Sequence, residues 1–132
     1  MSQSQNDIVQ YIDSAPTDQQ STLRMLRSMI TTSLPGICEQ LPARGFPVYT
    51  INEKWIAGFA TRKKCPMFYI MLPEILDQYA DQLGRLRSGK SCIEWRSTKL
   101  MSLEQLEAIA ATILEEVAEG IRGGSSEEES LQ

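Results

Sequence analysis

The chain has 132 residues, of which 42% are apolar and 23% charged, and its formal net charge is −4. This length and composition predict one globular domain, large enough to fold around its own core without a disulfide or a metal. The acidic balance argues against nucleic-acid binding, because phosphate contacts need a basic face. The chain has no histidine, which excludes Ser-His and Cys-His catalytic pairs and histidine-based metal sites.

Two further patterns bear on the compartment. No apolar run reaches the length of about 18 residues that a membrane span needs, and residues 1–16 lack the basic start and apolar core of a signal peptide. We therefore expect a cytoplasmic protein without membrane or nucleic-acid partners, either a monomer or a homodimer. Cys38, Cys65 and Cys92 form no C-x-x-C pair and are expected to be free thiols.

The first part of the sequence has the periodic spacing of apolar residues that is typical of helices. Apolar spacing predicts a first helix over about 5–14, ended by Pro16. Thr17 and Gln20 match a capping box for a second helix, which the breakers at 34–36 stop.

Strand patterns occupy the middle of the chain. They predict a short strand at 37–41, one near Val48, and two apolar strands at 55–61 and 67–72, joined by polar turns. Short connections between successive strands indicate an antiparallel meander.

Helical periodicity then returns. Pro73 opens a helix predicted over 73–86, the alternation at 92–96 predicts another strand, and Ser102 with Gln105 caps a last helix over 103–121. The fold class is therefore α+β: an antiparallel sheet of four to five strands packed against N-terminal, middle and C-terminal helices. Residues 1–121 are expected to form one domain, and 122–132 a disordered acidic tail.

The stretch "GRLRSGKS" at 84–91 matches the P-loop pattern G-x-x-x-x-G-K-[ST]. A P-loop follows a strand and opens a helix, whose N-terminus then binds the phosphates. Here the predicted helix precedes the motif and the predicted strand follows it. The segment is therefore interpreted as a helix end and a strand start, not as a nucleotide site.

Several short motifs occur together in a recognisable order. A helical run at 8–30 precedes Pro35 and Glu39, then "GFPVY" at 45–49, an apolar strand pair at 55–72, and "GKSCI" at 89–93. In this order and spacing, residues 8–113 resemble the YdhG-like domains of unknown function, a family described as frataxin-like or as iron chaperones. The resemblance implies an α+β fold with an antiparallel sheet. This chain departs from the family at Arg44, where an aromatic residue is common.

The loop around "ARGFPVY" is the first candidate binding site. Arg44, Phe46 and Tyr49 offer a charge, an apolar face and a hydroxyl to an anion or small ligand between the loop and the sheet, with Lys90 nearby. The alternative interpretation is a Gly-Pro bend with Phe46 in the core.

Two other sites are weaker candidates. Cys65 follows three cations in "RKKC", which would favour a reactive thiolate, although an inert cysteine after a solvated turn fits as well. Asp77 and Asp81 are spaced to share a helix face and offer oxygen ligands to iron, the metal that the family resemblance implies.

These patterns favour a non-enzymatic domain that binds a small molecule or a protein and needs no cofactor. The alternatives are an intracellular iron chaperone that uses surface carboxylates, with iron as its metal, and a small enzyme that depends on a cysteine or a carboxylate.

Overall fold

A computed structural model describes the backbone of residues 3–43 and 45–131, and the side chains of these residues up to Ile121. Helices and an antiparallel five-stranded sheet alternate as predicted, which confirms the α+β class. The elements in chain order are α1 (Gln3–Asp13), α2 (Thr17–Ser33), β1 (Cys38–Gln40), β2 (Val48–Ile51), β3 (Lys54–Ala60), β4 (Met67–Ile70), α3 (Pro73–Asp77), α4 (Ala80–Leu83), a 3₁₀ turn (Gly84–Leu86), β5 (Cys92–Glu94) and α5 (Leu103–Leu131).

The strands form one sheet in the order β1-β2-β3-β4-β5, and each pair is antiparallel. Between β2 and β3, Asn52 (φ 51°) and Glu53 (φ 66°) both have positive φ. Two successive positive-φ residues form the type I′ turn, whose twist matches that of the flanking strands. In the predicted meander, β2 and β3 are therefore joined by a hairpin with a two-residue turn.

The two faces of the sheet carry different residues. Phe59, Phe68 and Ile93 lie opposite one another across β3, β4 and β5 and have no solvent exposure. They join one apolar core with residues of α2 and α5, and α2 packs on both β3 and α5. We call this the inner face, and the face that carries Gly58 and Tyr69 the outer face.

Polar contacts fasten the first two helices to the loop after β3. The amide N–H of Thr61 donates to the hydroxyl of Tyr11 (2.9 Å), and the Thr61 hydroxyl donates to Gln19 Oε1 (2.5 Å). Gln19 Nε2 donates to the carbonyl of Arg62 (2.7 Å). Gln19 is almost fully buried, and these bonds satisfy both ends of its amide.

The middle helix differs from its prediction. Instead of one helix over 73–86, the chain forms α3, α4 and the 3₁₀ turn. Tyr79 leaves the helical conformation (φ −111°, ψ 10°), and its hydroxyl donates to Glu116 of α5. Leu76 and Leu86 are still fully buried. Tertiary bonds and burial therefore replace the helical hydrogen bonds that are lost at the break.

One of the two predicted capping boxes is present. The Gln105 N–H donates to Ser102 Oγ (3.1 Å) and the Ser102 N–H donates to Gln105 Oε1 (2.8 Å), which confirms the start of α5. The box predicted at Thr17 and Gln20 is wrong: Pro16 occupies the cap position without a side-chain bond. Gln20 donates instead to the Ala15 carbonyl (2.9 Å).

The last helix is longer than its apolar stripe predicted. α5 continues past Ile121 to Leu131, because no proline interrupts it and its glycines only weaken a helix. The side chains of the predicted acidic tail, 122–132, lie outside the described residues, so its disorder stays a prediction. Within the described chain, no helix is long and apolar enough to cross a membrane.

Candidate functional site

A groove of about 530 Å³ lies between α1, α2 and the edge strand β1, and we call it the α1–α2 groove. A second cavity of about 430 Å³ adjoins it at Gln5, Thr31 and Glu39. Polar side chains dominate the lining of the groove, which consists of Gln5, Val9, Ile12, Asp13, Arg24, Arg27, Ser28, Thr31 and Glu39. The helix-helix packing that buries Ile8 and Ile12 thus leaves a polar concavity at the edge of the sheet.

The groove contains a bidentate ion pair. Arg27 donates from Nε to Glu39 Oε2 (2.8 Å) and from Nη2 to Glu39 Oε1 (3.1 Å), and the Tyr49 hydroxyl donates to Glu39 Oε2 (2.7 Å). The two charged side chains are only 22% and 10% exposed. Charge-assisted bidentate bonds of this kind are both stronger and more directional than neutral hydrogen bonds.

These bonds fix the protonation states of the three groups. Burial alone would raise the pKa of the Glu39 carboxyl, but the hydrogen bonds from Arg27 and Tyr49 outweigh it and lower that pKa. The hydrogen bond to Glu39 raises the pKa of Arg27. Burial, aided by Glu39, raises the pKa of Tyr49. At neutral pH the site therefore holds a carboxylate, a guanidinium and a protonated phenol.

A second ion pair stands at the rim of the groove. Arg24 Nη2 lies 3.2 Å from Asp13 Oδ1, and both side chains are more than half exposed. An exposed pair of this kind rearranges at little cost. The groove thus combines a rigid pair at its floor with an adaptable pair at its rim.

The structure separates the residues that the sequence assigned to one pocket. Tyr49 lies on the inner face, opposite Ala57, and supports Glu39 from within the core. Phe46 lies on the outer face, and Lys90 is exposed in the turn before β5. Arg44 lies outside the described residues. Of the three predicted residues that the structure describes, Tyr49 alone belongs to the groove network.

On the outer face, Phe46 itself fills the space predicted for a ligand between loop and sheet. Its ring stacks on Tyr69 at a centroid distance of 4.8 Å and lies 5.8 Å from Trp55. The Arg62 guanidinium lies 5.4 Å from the centre of the Phe46 ring. Gly58 makes room for this loop, since a Cβ there would lie 2.8 Å from the Pro47 carbonyl oxygen. This arrangement fits a Gly-Pro bend, but the expectation that Phe46 lies in the core is wrong, because its ring is half-buried on the outer face.

Cys65 and Cys92 do not have the environment of an activated thiol. Cys65 is buried, and burial followed by the charge of Glu94 raises its pKa despite the neighbouring cations. Burial also raises the pKa of Cys92. Because only the thiolate is an effective nucleophile, this environment disfavours the reactive Cys65 that the sequence allowed.

The carboxylates proposed as iron ligands lie in two different helices, not on one helix face as predicted. Asp77 ends α3 and bonds Arg87 (2.7 Å), whereas Asp81 lies in α4. Within the described part of the chain, no group of three Cys, Asp or Glu side chains is placed to hold a metal ion.

The segment that matches the P-loop pattern is a connecting segment in the structure, as the sequence predicted. β5, not a helix, follows the motif, as expected. Arg87 organises the segment: it donates to the carbonyls of Gly89 (3.2 Å) and Lys90 (2.9 Å) and to that of Pro73 (3.3 Å). The backbone carbonyls therefore converge on a cation where a P-loop presents N–H groups to phosphate.

Sequence reasoning missed Arg27 and the role of Glu39. From the sequence, Arg27 is expected to be solvated, because it lies beside the apolar stripe of α2. The available signal was the order of the short motifs, because Glu39 and Tyr49 are the last residues of two of them. The Cα pairing of Glu39 with Tyr49 across β1 and β2 brings these two motifs together.

Comparison with known proteins gave no match for this chain. No family model matches the chain, and neither a curated protein nor a solved structure does so.

Proposed function

We propose that the protein is a non-enzymatic binding domain that holds a small polar molecule in the α1–α2 groove. The observation that carries this proposal is the Arg27–Glu39–Tyr49 network at the floor of the groove. A concave site in which polar groups with perturbed pKa values converge is the usual form of a binding site.

The ionisation of these groups supports binding over catalysis. A general base works best with a pKa near the working pH, but the pKa of Glu39 is lowered and its two oxygens accept bonds from Arg27 and Tyr49. Tyr49 stays protonated because burial raises its pKa. Fixed donors and acceptors suit the orientation of a ligand better than proton transfer.

The charges in the groove indicate the ligand class. Arg24 and Arg27 are paired with Asp13 and Glu39, and the donors and acceptors that these pairs leave over suit a carboxylate and an ammonium group. Ser28 and Thr31 also line the groove. A small zwitterion, such as a free amino acid, matches both signs of charge without leaving either pair unbalanced.

No observation in the described residues favours the two alternatives over binding. An iron chaperone would need oxygen ligands that converge, and Asp77 is instead bonded to Arg87. A thiol enzyme would need a lowered pKa at Cys65, and burial raises it.

The test is titration of the ¹⁵N-labelled protein with a panel of free amino acids, followed by amide chemical shifts. We expect at least one member to shift residues of α1, α2 and β1. Ser28→Trp fills the groove from an exposed position and should abolish these shifts. Ser21→Trp adds the same side chain to an exposed position of α2 outside the groove and should leave them intact. An unresponsive spectrum, or shifts confined to the outer face around Phe46, would overturn the proposal.

A further inference from the structure

The α1–α2 groove continues into the second cavity, which we call the β1 cavity. This cavity of about 430 Å³ lies between the start of α1, the end of α2 and the edge strand β1. Gln5, Thr31 and Glu39 line both spaces. The residues that line the β1 cavity but not the groove are Ser4, Leu34, Gly36, Ile37 and Cys38. A molecule held beside Glu39 can therefore extend from the groove into the β1 cavity.

The two spaces differ in charge. The charged side chains that line the groove are Asp13, Arg24, Arg27 and Glu39. Among the described residues around the β1 cavity, Glu39 is the only charged one, and Arg27 already neutralises it through two hydrogen bonds. Leu34 and Ile37 give the rest of that lining an apolar part, and its other side chains are uncharged. A charged ligand group in the β1 cavity would therefore lose water without gaining a counter-ion, which is costly.

The backbone between α2 and β1 gives the β1 cavity a fixed wall. The Leu34 N–H donates to the Ile30 carbonyl (3.0 Å), and the Ile37 N–H donates to the Leu34 carbonyl (3.2 Å). Gly36 turns the chain with a positive φ of 78°, and no atom lies within 4 Å of the Cβ that another residue would add there. The wall therefore needs little ordering when a ligand enters the open space beside it, which favours affinity.

We propose that the β1 cavity receives the side chain of the amino acid whose charged groups lie in the α1–α2 groove, and that it selects a long uncharged side chain. Glutamine and methionine have this chemistry. The inference rests on the proposed function and narrows its ligand class. Glycine would leave the β1 cavity empty. Glutamate would place a second carboxylate beside Glu39, whose partner Arg27 is already engaged.

Titration of the full ¹⁵N-labelled chain with glutamine, methionine, glycine and glutamate, one at a time, tests the proposal. We expect glutamine or methionine to bind at least about tenfold more tightly than glycine, because their methylene groups are buried beside Leu34 and Ile37. Glutamate has nearly the shape of glutamine. It should bind at least about tenfold more weakly than glutamine, because its side-chain carboxylate has no counter-ion in the β1 cavity.

A pair of tryptophan substitutions tests which space holds the side chain. Ser4 lines the β1 cavity but not the groove. Ser4→Trp should therefore lower the affinity for glutamine by at least about tenfold through a steric clash, and change the affinity for glycine by less than about twofold. Asn6→Trp adds the same side chain to an exposed position of α1 that lines neither space and should leave both affinities unchanged.

Three outcomes would overturn this inference alone. They are glycine binding as tightly as glutamine and methionine, glutamate binding as tightly as glutamine, and a Ser4→Trp chain that loses affinity for glycine and glutamine alike. Each of them requires an amino acid in the α1–α2 groove and so leaves the proposed function standing. If no amino acid of the panel binds, the proposed function and this inference are both wrong.

Discussion

At Glu39, the neighbouring groups decide the ionisation of one carboxyl. Arg27 and Tyr49 donate to its two oxygens, and their combined effect outweighs burial and lowers the pKa. The pKa is thus lower in the folded than in the unfolded chain. This carboxylate therefore stabilises the fold above its unfolded pKa, and that stabilisation is lost as the pH falls through the folded value.

We expect Glu39→Gln to lower the free energy of unfolding at neutral pH by about 1.5–3 kcal/mol, because a charge-assisted network is broken and Arg27 is left half-buried. Urea denaturation over a pH series measures the effect. The difference from wild type should shrink as the pH falls below about 4.3, the ordinary pKa of a glutamate. Asp13→Asn breaks the exposed pair with Arg24 and should cost under about 1 kcal/mol. Equal costs at the two positions would contradict the network.

At the scale of elements, the outer face depends on how closely the loop before β2 approaches β3. Phe46 stacks on Tyr69 and the Phe59 N–H donates to the Pro47 carbonyl (3.3 Å). Gly58 lies beneath this contact, and a side chain there would meet backbone rather than a flexible group. The glycine is required by the close approach of two backbones.

We therefore expect Gly58→Ala to destabilise the fold by about 1–3 kcal/mol, since the loop must move to admit a methyl group. Gly120→Ala is the matched control: it lies in α5 with nothing within 4 Å of an added Cβ. There the same substitution should stabilise the protein by roughly 0.5–1 kcal/mol. Thermal unfolding of both variants tests the pair, and a stabilised Gly58→Ala chain would show that the loop is not held against β3.

At the scale of the whole molecule, apolar periodicity predicted the helices and strands because burial of one stripe or face decides each of them. The break at Tyr79 was not predictable, because it depends on a bond to Glu116, far along the chain. The Arg27–Glu39 pair was missed for the same reason: only the folded sheet edge brings α2 to β1. The division between Phe46 and Tyr49 was missed because Phe46 lies in the loop before β2, and the path of that loop depends on its contacts with Gly58 and Tyr69.

The core joins α1 to the sheet and to α5 in a single apolar cluster, so unfolding should be one cooperative transition. Ile8 of α1 tests this, because it is fully buried although it lies near the chain start. Ile8→Ala should cost about 2–4 kcal/mol and shift far-ultraviolet circular dichroism and tryptophan fluorescence together. Asn6→Ala, exposed on the same helix, should change stability by less than about 0.5 kcal/mol. If Ile8→Ala reduced helical signal at low denaturant while the fluorescence transition stayed in place, α1 would be a detachable element and the α1–α2 groove would open independently of the core.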